Sequence, residues 1–181
     1  MFQVMGRDFP ATSACLELFY DSGENAVCWG VKVVAASLGE QDSVSRWKPA
    51  IVAEVLLKTK PGQVSHWYDI AGTTVAWEEP NEDPQALFEV YETSAIYTCK
   101  VQFLAGLNSH LRLVLDGMTD IDAGHVKVPI HIDMPLKVAP WSMARRPEQE
   151  CRDLFDRLGF RDPVKFELAP HDVSTLVFLD Q

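Results

Sequence analysis

The sequence predicts a mainly β protein of the α+β class: an antiparallel β-sandwich or open barrel of about eight to ten strands, with one C-terminal helix (about 147–158) packed on it. Three observations carry that expectation. Apolar residues fill every even position from Val126 to Val138, as a strand with one face in the core and one in water requires. Short runs rich in β-branched and aromatic residues recur along the chain, divided by turn residues. One stretch alone, RPEQECRDLFDRLGF, changes period, with Cys151, Leu154, Phe155 and Leu158 at i, i+3, i+4 and i+7.

The elements follow in chain order. LELFY (16–20) and AVCWGVKVVAA (26–36) flank DSGEN, read as a hairpin turn in which Gly23 takes positive φ. AIVAEVLLK (50–58) ends at the turn KPGQ. HWYDI (66–70) and TTVAW (73–77) flank Ala71-Gly72, a second hairpin or a bulge in one long strand. DPQALFEVYE (83–92) starts like a helix at Asp83-Pro84 and then alternates like a strand. SAIYTCKVQFL (94–104) and HLRLVL (110–115) bracket GLNS, and DGMTDIDAGH (116–125) reads as two turns around Gly117 and Gly124. In the 126–138 strand, Pro129 and Pro135 cannot donate to a ladder, so at least part of it is expected at a sheet edge or bent there. Pro147 suits a first helical turn, Glu148–Arg152 and Asp153–Arg157 are i,i+4 pairs, and Gly159 with Phe160 forms a Schellman-type end. PVKFEL (163–168) and STLVFL (174–179) complete the chain. Residues 1–181 are expected to form one globular domain, with 142–181 as an appended α+β element.

Composition narrows the function. A chain of 181 residues can bury roughly 70% of its unfolded surface, so it needs no metal or disulfide staple. The N-terminal MFQVMGRDFPATSAC lacks a basic segment followed by an apolar one, and no stretch is apolar enough to span a bilayer. A cytoplasmic chain is expected, with Cys15, Cys28, Cys99 and Cys151 as reduced, mostly buried thiols. Net charge is −10, and −7 of it lies in the 39 residues between Lys60 and Lys100, an interval without a single Lys or Arg. Phosphate surfaces attract the opposite sign, so neither nucleic acid nor an anionic membrane is an expected partner.

Catalytic signatures are absent: the sequence contains no G-x-S-x-G, H-E-x-x-H, G-x-x-x-x-G-K-[ST] or G-x-G-x-x-G. An EF-hand loop starting at Asp120 fails, because His125 and His131 stand where Gly and Glu are needed. His131 and Asp133 project from one strand face, as two ligands for a divalent metal would, with His125 and Asp122 in reach to complete the set. Lys127 and Lys137 on that face argue instead for a solvated surface, so no cofactor is expected. His66, within SHWYD, fits a core or interface position.

The leading expectation is a non-enzymatic binding module whose acidic face meets a basic protein, as bacterial immunity proteins do by physical class. Its candidate residues are Asp69, Trp77, Glu78, Glu79, Glu82, Asp83, Glu89 and Glu92, with Phe88 and Tyr91 as further aromatic anchors. Two alternatives are a metal-dependent enzyme or small-ligand protein built on His125, His131 and Asp133, and an assembly subunit whose 125–138 edge pairs into a homodimer.

Overall fold

The computed structural model describes residues 1–79, 86–106, 110–121, 126–143, 146–169 and 173–179. The chain opens with a hairpin, β1 (Phe2–Val4) and β2 (Arg7–Phe9), joined at Met5 and Gly6, both at positive φ. Next come β3 (Ala11–Asp21), β4 (Ala26–Ala35), β5 (Ala50–Thr59), a 3-10 turn (Trp67–Ile70), β6 (Thr74–Trp77) and β7 (Leu87–Glu89). The long strands β8 (Thr93–Ala105), β9 (Leu111–Ile121) and β10 (Val126–Val138) follow. The chain then runs through β11 (Trp141–Met143), α1 (Glu148–Arg157), β12 (Val164–Ala169) and β13 (Val173–Phe178). Among the described residues no helix is long and apolar enough to cross a membrane.

Of the two expected architectures the barrel forms, and its wall closes. The ring runs β10-β3-β4-β5-β7-β8-β9 and returns to β10. Every pairing in it is antiparallel except β10 with β3, which meet in parallel through only Lys137–Cys15 and Val138–Leu16. Two strands each serve two neighbours on one side. β8 pairs with β7 over Thr93–Ala95 and with β6 over Cys99–Gln102; β10 pairs with β1 over Ile130–Ile132 and then with β3. The interior is apolar, with Val31, Val33, Ile51, Val101, Phe103, Leu111, Leu113, Leu115, Val128 and Ile132 all fully buried.

β10 is an edge only around Pro135, and over most of its length the expectation is corrected: β9 pairs with it from Val126 to Leu136 on one side, and β1 and β3 share the other. The prolines nonetheless have a place. The Asp133 N–H donates to the Met1 carbonyl (2.9 Å) and the Met5 N–H donates to the Pro129 carbonyl (3.0 Å). Odd residues of β10 thus turn their backbone toward β1 and β3, and Pro135 falls where one neighbour has ended and the next has not begun.

Other local expectations also give way to tertiary structure. Residues 66–70 coil into the 3-10 turn because the Asp69 carboxylate accepts the Ser65 and His66 N–H groups at 3.1 and 2.9 Å. In the DSGEN turn the positive φ belongs to Asn25, while the Asp21 carboxylate accepts the Gly23 and Glu24 N–H groups. Gly117 is no turn residue; it lies inside β9, where a Cβ would come within 2.6 Å of Ile96 Cγ2 and 3.3 Å of Cys99 Sγ. Gly124 lies outside the described residues, as does the start of 83–92, whose remainder supplies β7.

The helix obeys its sequence, one residue shorter at each end than expected. Pro147 is the N-cap, Arg152 pairs with Glu148 at 2.8 Å, and Gly159 at φ +92° ends α1. Phe160 folds back onto Phe155, ring centroids 5.1 Å apart, and its N–H reaches the Phe155 carbonyl. Phe160 also meets Trp29 of β4 edge-on at 5.8 Å, so the C-terminal element joins the barrel core. A polar clasp reinforces this contact. The buried Asp162 carboxylate accepts the Trp67 N–H (3.1 Å) and lies 3.3 Å from His66 Nδ1, while Gly62 N–H donates to the Leu158 carbonyl.

One ion pair sets an acid-side dependence. Arg7 reaches Asp42 at 2.7 Å, and Ser45 N–H donates to the same carboxylate. The Arg7 guanidinium, with the Ser45 N–H second, holds the Asp42 carboxyl down to about 2 from 3.8. A depressed carboxyl contributes stability above its unfolded value and loses it as pH falls through the folded one. The thermal midpoint is therefore expected to drop between pH 3.8 and about 2, and Asp42→Asn to flatten part of that slope. Asp133, lowered by Arg112, adds to the same trend, whereas Asp162, raised by burial, slopes the opposite way. A pH series of melting curves for both proteins checks this, and identical slopes would remove Asp42 from the account.

Candidate functional site

The outer face of β8, β9 and β10 carries most of the residues that the sequence offered as a site. Cross-strand register sets Lys100, Asp116, His131 and Gln3 in one polar row over β8, β9, β10 and β1. His131 Nδ1 lies 2.6 Å from Asp116 Oδ1. One step along, the Arg112 guanidinium grips Asp133 through two hydrogen bonds. That grip holds the Asp133 carboxyl below the usual range. His131 and Asp133 do share a face, but each carries its own ionic or hydrogen-bonded partner, and Lys100 stands beside Asp116. His125 and Asp122 lie outside the described residues. Among the described residues no three His, Cys, Asp or Glu side chains gather as a metal would need.

The acidic interval divides. The Asp69 carboxylate caps the 3-10 turn, as above. Trp77 is only 6% exposed, with its indole N–H donating to the Ile96 carbonyl at 2.7 Å, and Phe88 is fully buried against Trp47. Neither aromatic is presented to a partner; both fill the barrel, because even a strand in an acidic segment must bury one face. Glu78, Glu79 and Glu92 are exposed and Glu89 half-buried, while Glu82 and Asp83 lie outside the described residues. Tyr91 is different: at 78% it is the most exposed large apolar side chain among the described residues.

β9 enlarges this face with two carboxylates that the sequence reading left among turns. Asp116 and Asp120 alternate with buried Leu115, Gly117 and Thr119, the spacing of an outward-facing strand edge, which was the signal available. A bulge in β8 brings them to Glu78 and Glu79. Thr98 takes φ +45°, rare for a β-branched residue, and its N–H donates to the Glu78 carbonyl at 2.7 Å. Beside it the Tyr97 hydroxyl donates to Asp120 at 2.9 Å. Burial, then Asp120, then the charge of Glu79 push that phenol up. Lys100 and Lys127 border the patch.

Two further titratable groups are held inside the structure. Cys99 sits inside the barrel with its thiol pushed up to about 12 by burial and by Asp116, far from a nucleophile. His66 stacks on Tyr68 with centroids 5.1 Å apart, within the clasp that holds the C-terminal element. Comparison with protein-family models, curated proteins and solved structures finds no match to this chain. The functional reading therefore rests on surface chemistry alone.

Proposed function

We propose that this protein is a non-enzymatic binding module that offers its acidic face, Glu78, Glu79, Glu89, Glu92, Asp116 and Asp120, to a basic protein. Tyr91 is the aromatic anchor of that face. The observation that carries the reading is Tyr91 itself, 78% exposed beside Glu92 in an interval without Lys or Arg. An apolar ring left in water is a cost to the monomer, and Tyr amid carboxylates suits contact with Arg and Lys through both stacking and charge. Clustered like charge also speeds encounter with an opposite surface. By physical class this resembles the acidic inhibitors of basic enzymes.

An oligoarginine peptide with a fluorescent label serves as the probe, its affinity followed by anisotropy. Binding is expected to weaken steeply with salt. Glu78→Lys with Glu79→Lys should lower affinity about tenfold or more, and Tyr91→Ala by a similar factor. Glu148→Lys with Glu150→Lys on α1 changes net charge equally and should do far less. Equal losses from both charge pairs, or an unaffected Tyr91→Ala, would leave only bulk charge and end the proposal.

A further inference from the structure

We propose that the gap between β3 and β10 is a docking slot for an extended peptide bearing a carboxylate. The two strands touch in parallel at only two residue pairs and then part, leaving a groove of about 750 Å³ between Ala11–Cys15 and Met134–Lys137. That volume lies within the range of ligand clefts. Its walls are strand backbones. The Ala139 N–H donates to the Leu16 carbonyl, so Leu16 and, two residues earlier, Ala14 turn their backbone groups toward β10. The Lys137–Cys15 pairing spends the Lys137 N–H on the Ala14 carbonyl, and the next β10 N–H in that series would be that of Pro135, which has none. The barrel's own strands thus cannot zip the gap shut, and β3 keeps an open edge there. Its side chains along the gap are small, Ala11, Thr12, Ser13 and Ala14, so another strand can approach the backbone closely. Adding a strand to an open edge is a recurrent mode of peptide recognition.

Charge selects the ligand. Lys137 stands opposite Cys15, and Cys15 opposite Lys32. Leu136 pairs with Leu111, so His110 is the next residue across from Lys137. Lys32 and Lys137 therefore form a cationic pair at the closed end of the groove, with His110 beside Lys137, on a chain of net charge −10. Partial burial and then Glu17 push the Cys15 thiol up, and the two lysines offset that only in part. A carboxylate on the incoming peptide, terminal or on a side chain, is the complementary group.

Cys15 is a built-in reporter. It is half-exposed, whereas Cys28, Cys99 and Cys151 are buried, so an aromatic disulfide reagent should modify it first, an assignment checked with Cys15→Ser. The probe is an acetylated hexapeptide of alternating threonine and valine with a free C-terminus. It should slow Cys15 modification about tenfold or more, saturating below about 1 mM. Methylating alternate peptide nitrogens should abolish protection. Lys137→Glu should weaken it about tenfold without moving the melting midpoint. An amidated peptide with one central glutamate tells the source: protection retained assigns the carboxylate to a side chain, protection lost assigns it to the terminus. No protection by any carboxylate-bearing peptide overturns the proposal. So does protection that survives N-methylation or ignores Lys137→Glu. The acidic face is separate from this slot, so Glu78→Lys with Glu79→Lys should leave protection unchanged.

Discussion

Trp29→Ala is expected to remove about 4 kcal/mol of stability, the range for deleting a large aromatic from a packed core. Trp29 has no exposed surface, its indole N–H donates to Thr59 Oγ1 at 2.9 Å, and its ring takes Phe160 edge-on. Three contributions vanish together: apolar burial, a buried hydrogen bond and the link between β4 and the C-terminal element. For a chain of this size the midpoint should fall by roughly 10 °C. Denaturant unfolding followed by far-ultraviolet dichroism measures the loss, and a deficit under about 1 kcal/mol would remove Trp29 from the contacts that hold the core. Phe160→Ala in the Trp29→Ala background should cost less than in the wild type, since the shared contact is already gone.

Gly30→Ala adds one methyl group and should cost at least about 3 kcal/mol. The reason is the register shift in the β4–β5 ladder between Trp29 and Val31. There β5 crosses so close that a Cβ on Gly30 would overlap the carbonyls of Ala53 and Glu54. Both are backbone atoms of a paired strand, so neither can swing aside as a flexible side chain would. Thermal melts of Gly30→Ala and Gly23→Ala make the comparison internal, because the nearest atom to a Cβ at Gly23 is the Asp21 Oδ1, 3.3 Å away at the end of a side chain that can swing aside. A midpoint for Gly30→Ala within about 2 °C of the wild type would show that β5 can yield, and the rigid bulge would have to be given up.

What was readable in the sequence follows from range. Alternation in 126–138 and the apolar stripe of α1 are local properties, and both elements appear nearly where expected. The Schellman end at Gly159 and Phe160 needed only the six consecutive residues from Phe155 to Phe160. The failures involve partners distant in the chain. Pro129 and Pro135 announce missing donors, but only the fold tells that one would have pointed at the β1–β2 turn and the other at the junction between β1 and β3. Gly117 resembles a turn until Ile96 and Cys99 are placed beneath it. The acidic face shows the same division. Its charge was visible, yet Trp77 and Phe88 are core while Tyr91 is surface, and Asp116 and Asp120 join only through the β8–β9 register. The β1–β2 hairpin was missed although Met5-Gly6 between FQV and RDF carried its turn signal.

The two-pair seam between β3 and β10 has a kinetic meaning. Its residues come from near the start and from the last third of the chain, so the ring is sealed by its most non-local contact. Chain-closure entropy must be overcome before that contact returns any energy, which makes high contact order slow. Folding should therefore be limited by this final joining, and amide exchange should open the same stave of the barrel first.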